Sequence, residues 1–241
     1  MKNYKICLTV FLFGYSMVSM GGCLEDSAWV IRNGPGDETA KRSKTVCKIW
    51  PGTGFTIFVS AIEVAHRIDM EIMVVDPVLK KIVGSKLELD MLTDHAIYNT
   101  GISIDTAKYQ LNDTLSAFGV RTSWQGSSAP NPYTSEILSL YTLQNGALKT
   151  LLNGMTVNEY HGEWDTRCKG EYSSRNMTLV VLPTSSMFND IQVNENIKKV
   201  KSEMVERGCQ NVILNTHIKR HIISHHVGGY VIPARLSSFV Q

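Results

Sequence analysis

Ile137-Leu138-Ser139-Leu140-Tyr141-Thr142-Leu143, then Asn145-Gly146, then Ala147-Leu148-Lys149-Thr150-Leu151-Leu152 is the clearest structural signal in this chain. Two apolar runs flank an Asn-Gly step. That dipeptide tolerates the positive φ values of a type I′ turn, whose twist suits a two-residue hairpin. The stretch therefore predicts two antiparallel strands. The same layout occurs earlier, with Glu71-Ile72-Met73-Val74-Val75-Asp76, a turn at Pro77, and Lys81-Ile82-Val83.

Moving outward, the chain is mostly of period two. Phe55 to Ser60 and Ile102 to Asp105 read as strands, and so does Ala117 to Trp124, with Phe118 and Val120 on one face. Met177 to Leu182 reads as a buried strand ended by Pro183. Asn194 to Arg207 (NENIKKVKSEMVER) breaks the trend. Ile197, Val200 and Met204 stand at helical spacing and Gly208 follows as a C-cap, so a surface helix is expected there. The expectation is an all-β fold of antiparallel hairpins, propeller-like or sandwich, with one minor C-terminal helix.

The amino terminus reads as an export signal. Lys2 and Lys5 precede an apolar run from Ile6 to Met20, and small residues follow before Cys23. The run is shorter than the roughly 20 apolar residues of a membrane span. Residues 1–22 are read as the signal, 23–43 as a flexible lead-in and 44–241 as a single β-rich domain. Cleavage after Gly21 is one reading. A degenerate lipobox that leaves Cys23 lipidated is the other, and it would make the protein an outer-membrane lipoprotein. The expected location is periplasmic or secreted.

An oxidising compartment permits disulfides. Cys168 with Cys209 is the first expected pair, stabilising by roughly 3–4 kcal/mol in the chain-entropy model. Cys47 either joins Cys23 or stays reduced. The whole chain carries 24 Lys and Arg against 22 Asp and Glu, and loss of Lys2 and Lys5 leaves 22 against 22. Near-zero charge points away from a nucleic-acid partner. No cofactor is implied, and any membrane contact runs through the candidate lipid.

Three clusters could carry function. His217, His221, His225 and His226 lie in an isoleucine-rich stretch that favours a strand. There, residues four apart lie about 13 Å from each other, too far to share one metal ion. Exposed, titrating histidines are the simpler reading, and no metal site is assigned. The second cluster is His161-Gly162-Glu163-Trp164-Asp165-Thr166-Arg167-Cys168-Lys169-Gly170-Glu171. Glu163 and Asp165 could act as acid and base, with His161, in a wall-polymer hydrolase. A charged turn clamped by a disulfide explains the same residues, and no nucleophile motif accompanies them. The third is the loop from Trp124 to Tyr133, with aromatics at both ends and Arg121 beside it.

Five stretches carry a resemblance. CKIWPG (47–52), DTAKYQL (105–111), AFGVRTSWQGSSAPNPY (117–133), GEWDTRCKGE (162–171) and GGYVIP (228–233) resemble a family of secreted proteins of Gram-negative bacteria with no assigned activity. The resemblance spans most of the mature chain and is least over 185–227. It implies export and marks 124–133 and 162–171 as a signature pair, with no catalytic residue carried over. The paired strands are also similar, at the level of fold, to small propeller-like envelope proteins that inhibit wall-degrading enzymes. The leading expectation is a non-enzymatic, inhibitor-like binding module of the cell envelope, its partner an envelope protein or a glycan. Trp124, Tyr133, Glu163, Trp164, Asp165 and Arg121 would be its contacts. The wall hydrolase is the alternative, and a purely structural envelope lipoprotein a third.

Overall fold

The computed structural model describes Cys23, Trp29, Val30, Arg32, Gly34 and residues 41–93, 96–206 and 208–237. The export signal expected over 1–22 lies outside the described residues. A four-stranded antiparallel sheet runs in the order β1 (Lys41–Ile49), β2 (Thr56–Val64), β3 (Arg67–Asp76), β4 (Lys81–Glu88). A seven-stranded meander follows. Its strands are β5 (Ile97–Gln110), β6 (Ser116–Gly126), β7 (Tyr133–Gln144), β8 (Ala147–Trp164), β9 (Gly170–Leu182), β10 (Asp190–Val205) and β11 (Gly208–Ile223). A two-stranded ribbon, β12 (His225–His226) with β13 (Gly229–Tyr230), and a 3-10 turn at Ala234–Leu236 close the described chain. The all-β class therefore holds, built of stacked sheets.

The Asn-Gly hairpin forms as its sequence dictates. Asn145 (φ 51°) and Gly146 (φ 76°) take the two positive φ values of a type I′ turn between β7 and β8. The expected helix does not form. Residues 190–202 pair without interruption with β9, and 191–205 pair with β11. Helical spacing of three apolar residues yields here to a long ladder in which Ile191 and Val193 are buried. The only helical element of the described C-terminal region is the 3-10 turn. Met177 to Leu182 is also less buried than a core strand, since only Met177 is fully covered.

Two apolar clusters share the meander. The first sits between the four-stranded sheet and one face of β5–β8, and includes Ile57, Ile72, Phe118, Trp124 and Tyr141. Trp50 meets Phe118 edge-to-face at 4.9 Å. The second joins Leu138 and Leu140 of β7 to Met155, Met177, Ile191 and Val193, and to Tyr230 and Leu236 of the C-terminal segment. β8 serves both clusters, placing Leu148 in the first and Leu151 to Val157 in the second. It pairs with β9 only from Asn158 onward, and where β9 departs, Ser237 bridges Met155.

A smaller cluster of Val30, Phe58, Met73 and Val75 covers the far side of the first sheet, so part of the expected lead-in is core. Both cysteine pairs form, Cys23 with Cys47 and Cys168 with Cys209. These bonds are consistent with an oxidising environment. Lipidation would use the same Cys23 sulfur that Cys47 holds, so that pairing and a lipid on Cys23 exclude one another. Among the described residues no helix is long and apolar enough to cross a membrane.

Cys168–Cys209 spans 41 positions and ties the β8–β9 turn to the start of β11. Replacing both with serine should remove about 4 kcal/mol in the chain-entropy model. Urea unfolding checks this. An unchanged midpoint would mean that the bond constrains nothing.

Candidate functional site

The two signature loops converge. Along β8, the Gly162 N–H donates to the Pro132 carbonyl (3.2 Å) and the Trp164 N–H to the Pro130 carbonyl (2.9 Å). The Trp164 indole N–H donates to the Ala129 carbonyl at 2.6 Å. The 127–132 loop thus lies against the end of β8. Beside it opens a cleft of about 520 Å³, lined chiefly by Asn131, Tyr133, His161, Glu163, Ser173 and Lys199.

Register explains the lining. Tyr133 stands opposite His161, His161 opposite Ser173, and Ser173 opposite Lys199, one row across β7 to β10. The next row outward sets Glu163 opposite Glu171 and Glu171 opposite Lys201. Two carboxylates directly opposed repel each other. Their mutual field favours a cationic or hydrogen-bond-donating group above them, and Lys201 flanks them.

Inward from the cleft lies a buried ionic row on the same face. Arg175 donates to Glu159 at 2.7 Å and to Glu195 at 2.9 Å. It also donates to the Arg235 carbonyl at 2.9 Å, which holds the C-terminal segment. His221 lies 3.0 Å from the second oxygen of Glu195, and the Arg235 guanidinium also contacts His221. Burial pushes the Glu195 carboxyl up. The His221 and Arg175 hydrogen bonds, with the charges of Arg175 and Arg235, outweigh that and hold it below the ordinary glutamate value. This network separates the apolar cluster from the cleft.

The expected contact residues divide. Tyr133 and Glu163 line the cleft. Trp124 is a correction: it is 3 % exposed, packs in the first apolar cluster, and donates its indole N–H to Thr122. It therefore presents no surface. Trp164 is half-buried and pins the loop. Asp165 shapes the turn, because one of its oxygens accepts the N–H groups of Arg167, Cys168 and Lys169. Those amides, Cys168 first and then Arg167, hold its pKa below the aspartate norm. A carboxylate so engaged is a poor proton shuttle.

Arg121 does not line the cleft. It belongs to an ion cluster with Asp105 (2.6 Å) and Glu136 (3.4 Å), where Tyr109 also donates to Asp105. Of the histidines, His217 and His221 lie on β11, while His225 lies against Phe188 with ring centroids 3.8 Å apart. Sequence reasoning missed Ser173, Lys199, Arg175 and Glu195. Alternation of Ile191, Val193 and Ile197 was the signal that could have found the strand carrying two of them.

Gly162 sits where a side chain would not fit, since a Cβ there would lie 2.6 Å from the Tyr172 ring. Tyr172, which also lines the cleft, lies nearly parallel to Tyr160, with centroids 5.8 Å apart. No family model matches the chain, and no curated protein or solved structure matches it.

Two outcomes follow from the burial pattern. Arg175→Met strands Glu159 and weakens the hold on Glu195, and should cost about 3–5 kcal/mol in urea unfolding. The depressed Glu195 pKa stabilises the fold above the unfolded-state glutamate pKa, and that contribution is lost as pH falls through the folded value. Glu195→Gln should therefore flatten the acid limb of the stability–pH curve. A limb equally steep in both proteins would show that Glu195 is not linked to folding. Trp124→Ala should cost about 3–5 kcal/mol, as core truncations do, and a variant of unchanged thermal midpoint would return Trp124 to the surface.

Proposed function

We propose that this chain is an exported protein of the cell envelope that binds a polar wall glycan in the cleft between the 127–132 loop and the end of β8, without turning it over. The observation that carries this reading is the lining itself. Two aromatic residues, Tyr133 and Tyr172, stand beside amide, imidazole, hydroxyl, carboxylate and ammonium groups on a strand-built floor. Its volume of about 520 Å³ falls within the range of small-ligand sites. A recess of this kind suits a short run of sugar or amino-sugar units better than a broad protein face.

Several features support pre-organisation. The floor is strand, the loop is pinned at three points to β8, and the Cys168–Cys209 bond lies at the adjoining turn. A rigid site loses little entropy when it binds. The disulfides support the compartment, and the charge balance speaks against a polyanion. The acid–base pair that a hydrolase would need is not favoured, because Asp165 is spent on its own turn.

Co-sedimentation with purified peptidoglycan sacculi tests the reading. The wild-type protein should pellet with sacculi and release no soluble fragments. Tyr133→Ala and Glu163→Gln should each weaken binding about tenfold, as loss of one good polar or stacking contact does, with thermal midpoints unchanged. Protein that stays in the supernatant, or variants that pellet as well as wild type, would remove the cleft from this role.

A further inference from the structure

We propose that β11 pairs with β11 of a second copy, in an antiparallel ladder centred on Thr216, to join two meanders into one continuous sheet. The argument begins with edges. An uncovered strand edge offers a row of unpaired N–H and C=O groups, and folded proteins shorten, charge or cover such edges. Here β1 lies along the outer edge of β5, with Lys48 donating to the Ile104 carbonyl at 3.1 Å. The outer edge of β4 lies along β8, with Thr150 donating to Glu88 at 3.2 Å. Among the described residues the outer edge of β11 has no such neighbour.

β11 is 16 residues long and holds no proline. Almost all of it is exposed, including Ile213 at 58 %, Ile218 at 72 % and Ile222 at 52 %. These isoleucines share one face of β11, since their register partners are Val200, Asn196 and Gln192 of β10. A long, apolar, uncovered edge is the kind that takes a strand partner.

The occupant follows from the sequence of the strand itself. Ile213 pairs with Val200 and Asn215 with Lys199, so Leu214 is a bulge with no partner on β10. The bulge restores phase. With Leu214 set aside, Ile213, Thr216 and Ile218 follow one another on one face. Placing a twofold axis at Thr216 sets Ile213 of one copy opposite Ile218 of the other, Thr216 opposite Thr216, and Asn211 opposite Arg220. Lys219 meets Val212.

In this register no basic side chain opposes another, because the basic half of the strand meets its uncharged half. Sliding toward the C-terminus sets His217 against itself. Sliding toward the N-terminus sets Ile213 against Thr216 and Ile218 against Asn211. The centred register joins Ile213 to Ile218 across the seam and spans the strand from Cys209 to Ile222, whereas centring on Ile218 joins Ile213 to Ile222 but sets His217 against Lys219. Because the axis is perpendicular to the sheet, both clefts would open on the same side. That consequence rests on the cleft reading, whereas the pairing does not.

Light scattering on the purified full-length protein at micromolar concentration should give twice the chain mass, and Ile213→Lys with Ile218→Lys should give the single mass at an unchanged thermal midpoint. Thr216→Cys supplies the register. Directly opposed residues in an antiparallel ladder lie about 4.5–5.5 Å apart at Cα, within disulfide reach, so oxidation should convert this variant to a covalent dimer. Asn196→Cys, on the same face but one strand inward, should stay uncrosslinked. A monomeric wild type, a dimer that survives the double lysine variant, or Thr216→Cys crosslinking no better than Asn196→Cys would each overturn the proposal. Sacculus binding by a monomer would leave the cleft reading intact while this one fell.

Discussion

One guanidinium holds the outer half of this molecule in place. Arg175 reaches from β9 to Glu159 on β8 and to Glu195 on β10, and its remaining reach secures the Arg235 carbonyl of the C-terminal segment. Without it, two buried carboxylates on the strands flanking β9 would repel each other and be driven to hold their protons. With it, three strands and the chain terminus are fixed relative to one another at the level where β8 passes from core to cleft. Val157 is core, Glu159 is ionic and His161 lines the cleft, all within five consecutive positions of a single strand. The planar fork of arginine can bridge both partners at once, and lysine, a point donor, could not.

That arrangement follows from a geometrical constraint on β8. A strand of 18 residues is longer than one sheet needs. Its first half completes the packing against the four-stranded sheet, and its second half carries the same meander on to β9. The parting of β8 from β9 before Asn158 exposes backbone, and the C-terminal segment covers it through the Met155–Ser237 bridge and the approach of Gly229 to Leu151. Edges that closure covers need no charged guards. The one edge that closure leaves, β11, is also the longest run of exposed apolar residues in the described chain.

Much of the fold was legible because hairpins are local. Asn145-Gly146 specifies its own turn, and period-two runs such as Phe118-Val120 need only one apolar face to announce a strand. Cys168 with Cys209 was legible from compartment and count. The stretch 194–207 was not, because Ile197, Val200 and Met204 fit a helix by spacing while Glu195 is buried in a strand. A buried glutamate looks like a solvated one until its arginine is found on another strand, and that pairing is long-range. Trp124 misled for the opposite reason. It borders a polar loop in sequence, but strand parity turns it inward with Thr122 and Phe118. The resemblance marked 124–133 and 162–171 as a pair of loops, while Ser173 and Lys199 of the floor belong to strands outside both, and the Ile191–Val193–Ile197 alternation that marks one of those strands yields in the sequence to the helical spacing of Ile197, Val200 and Met204.

The cleft and the free edge are consequences of the same sheet. Alternation sends Glu195, Ile197 and Lys199 of β10 to one face of the sheet and Asn196, Lys198 and Val200 to the other, and both Lys199 and Val200 border the cleft. The bulge at Leu214 shifts that parity on β11 alone. Without it, Ile213 and Ile218 would fall on opposite faces, and no twofold register could bring them together. A single inserted residue thus brings Ile213 into phase with Ile218 and Ile222 on one face of the strand. It leaves the polar floor of the cleft undisturbed, because β10 itself carries no bulge in its pairing with β9. Bulges mark strand edges and functional borders more often than strand centres, and this one stands beside both.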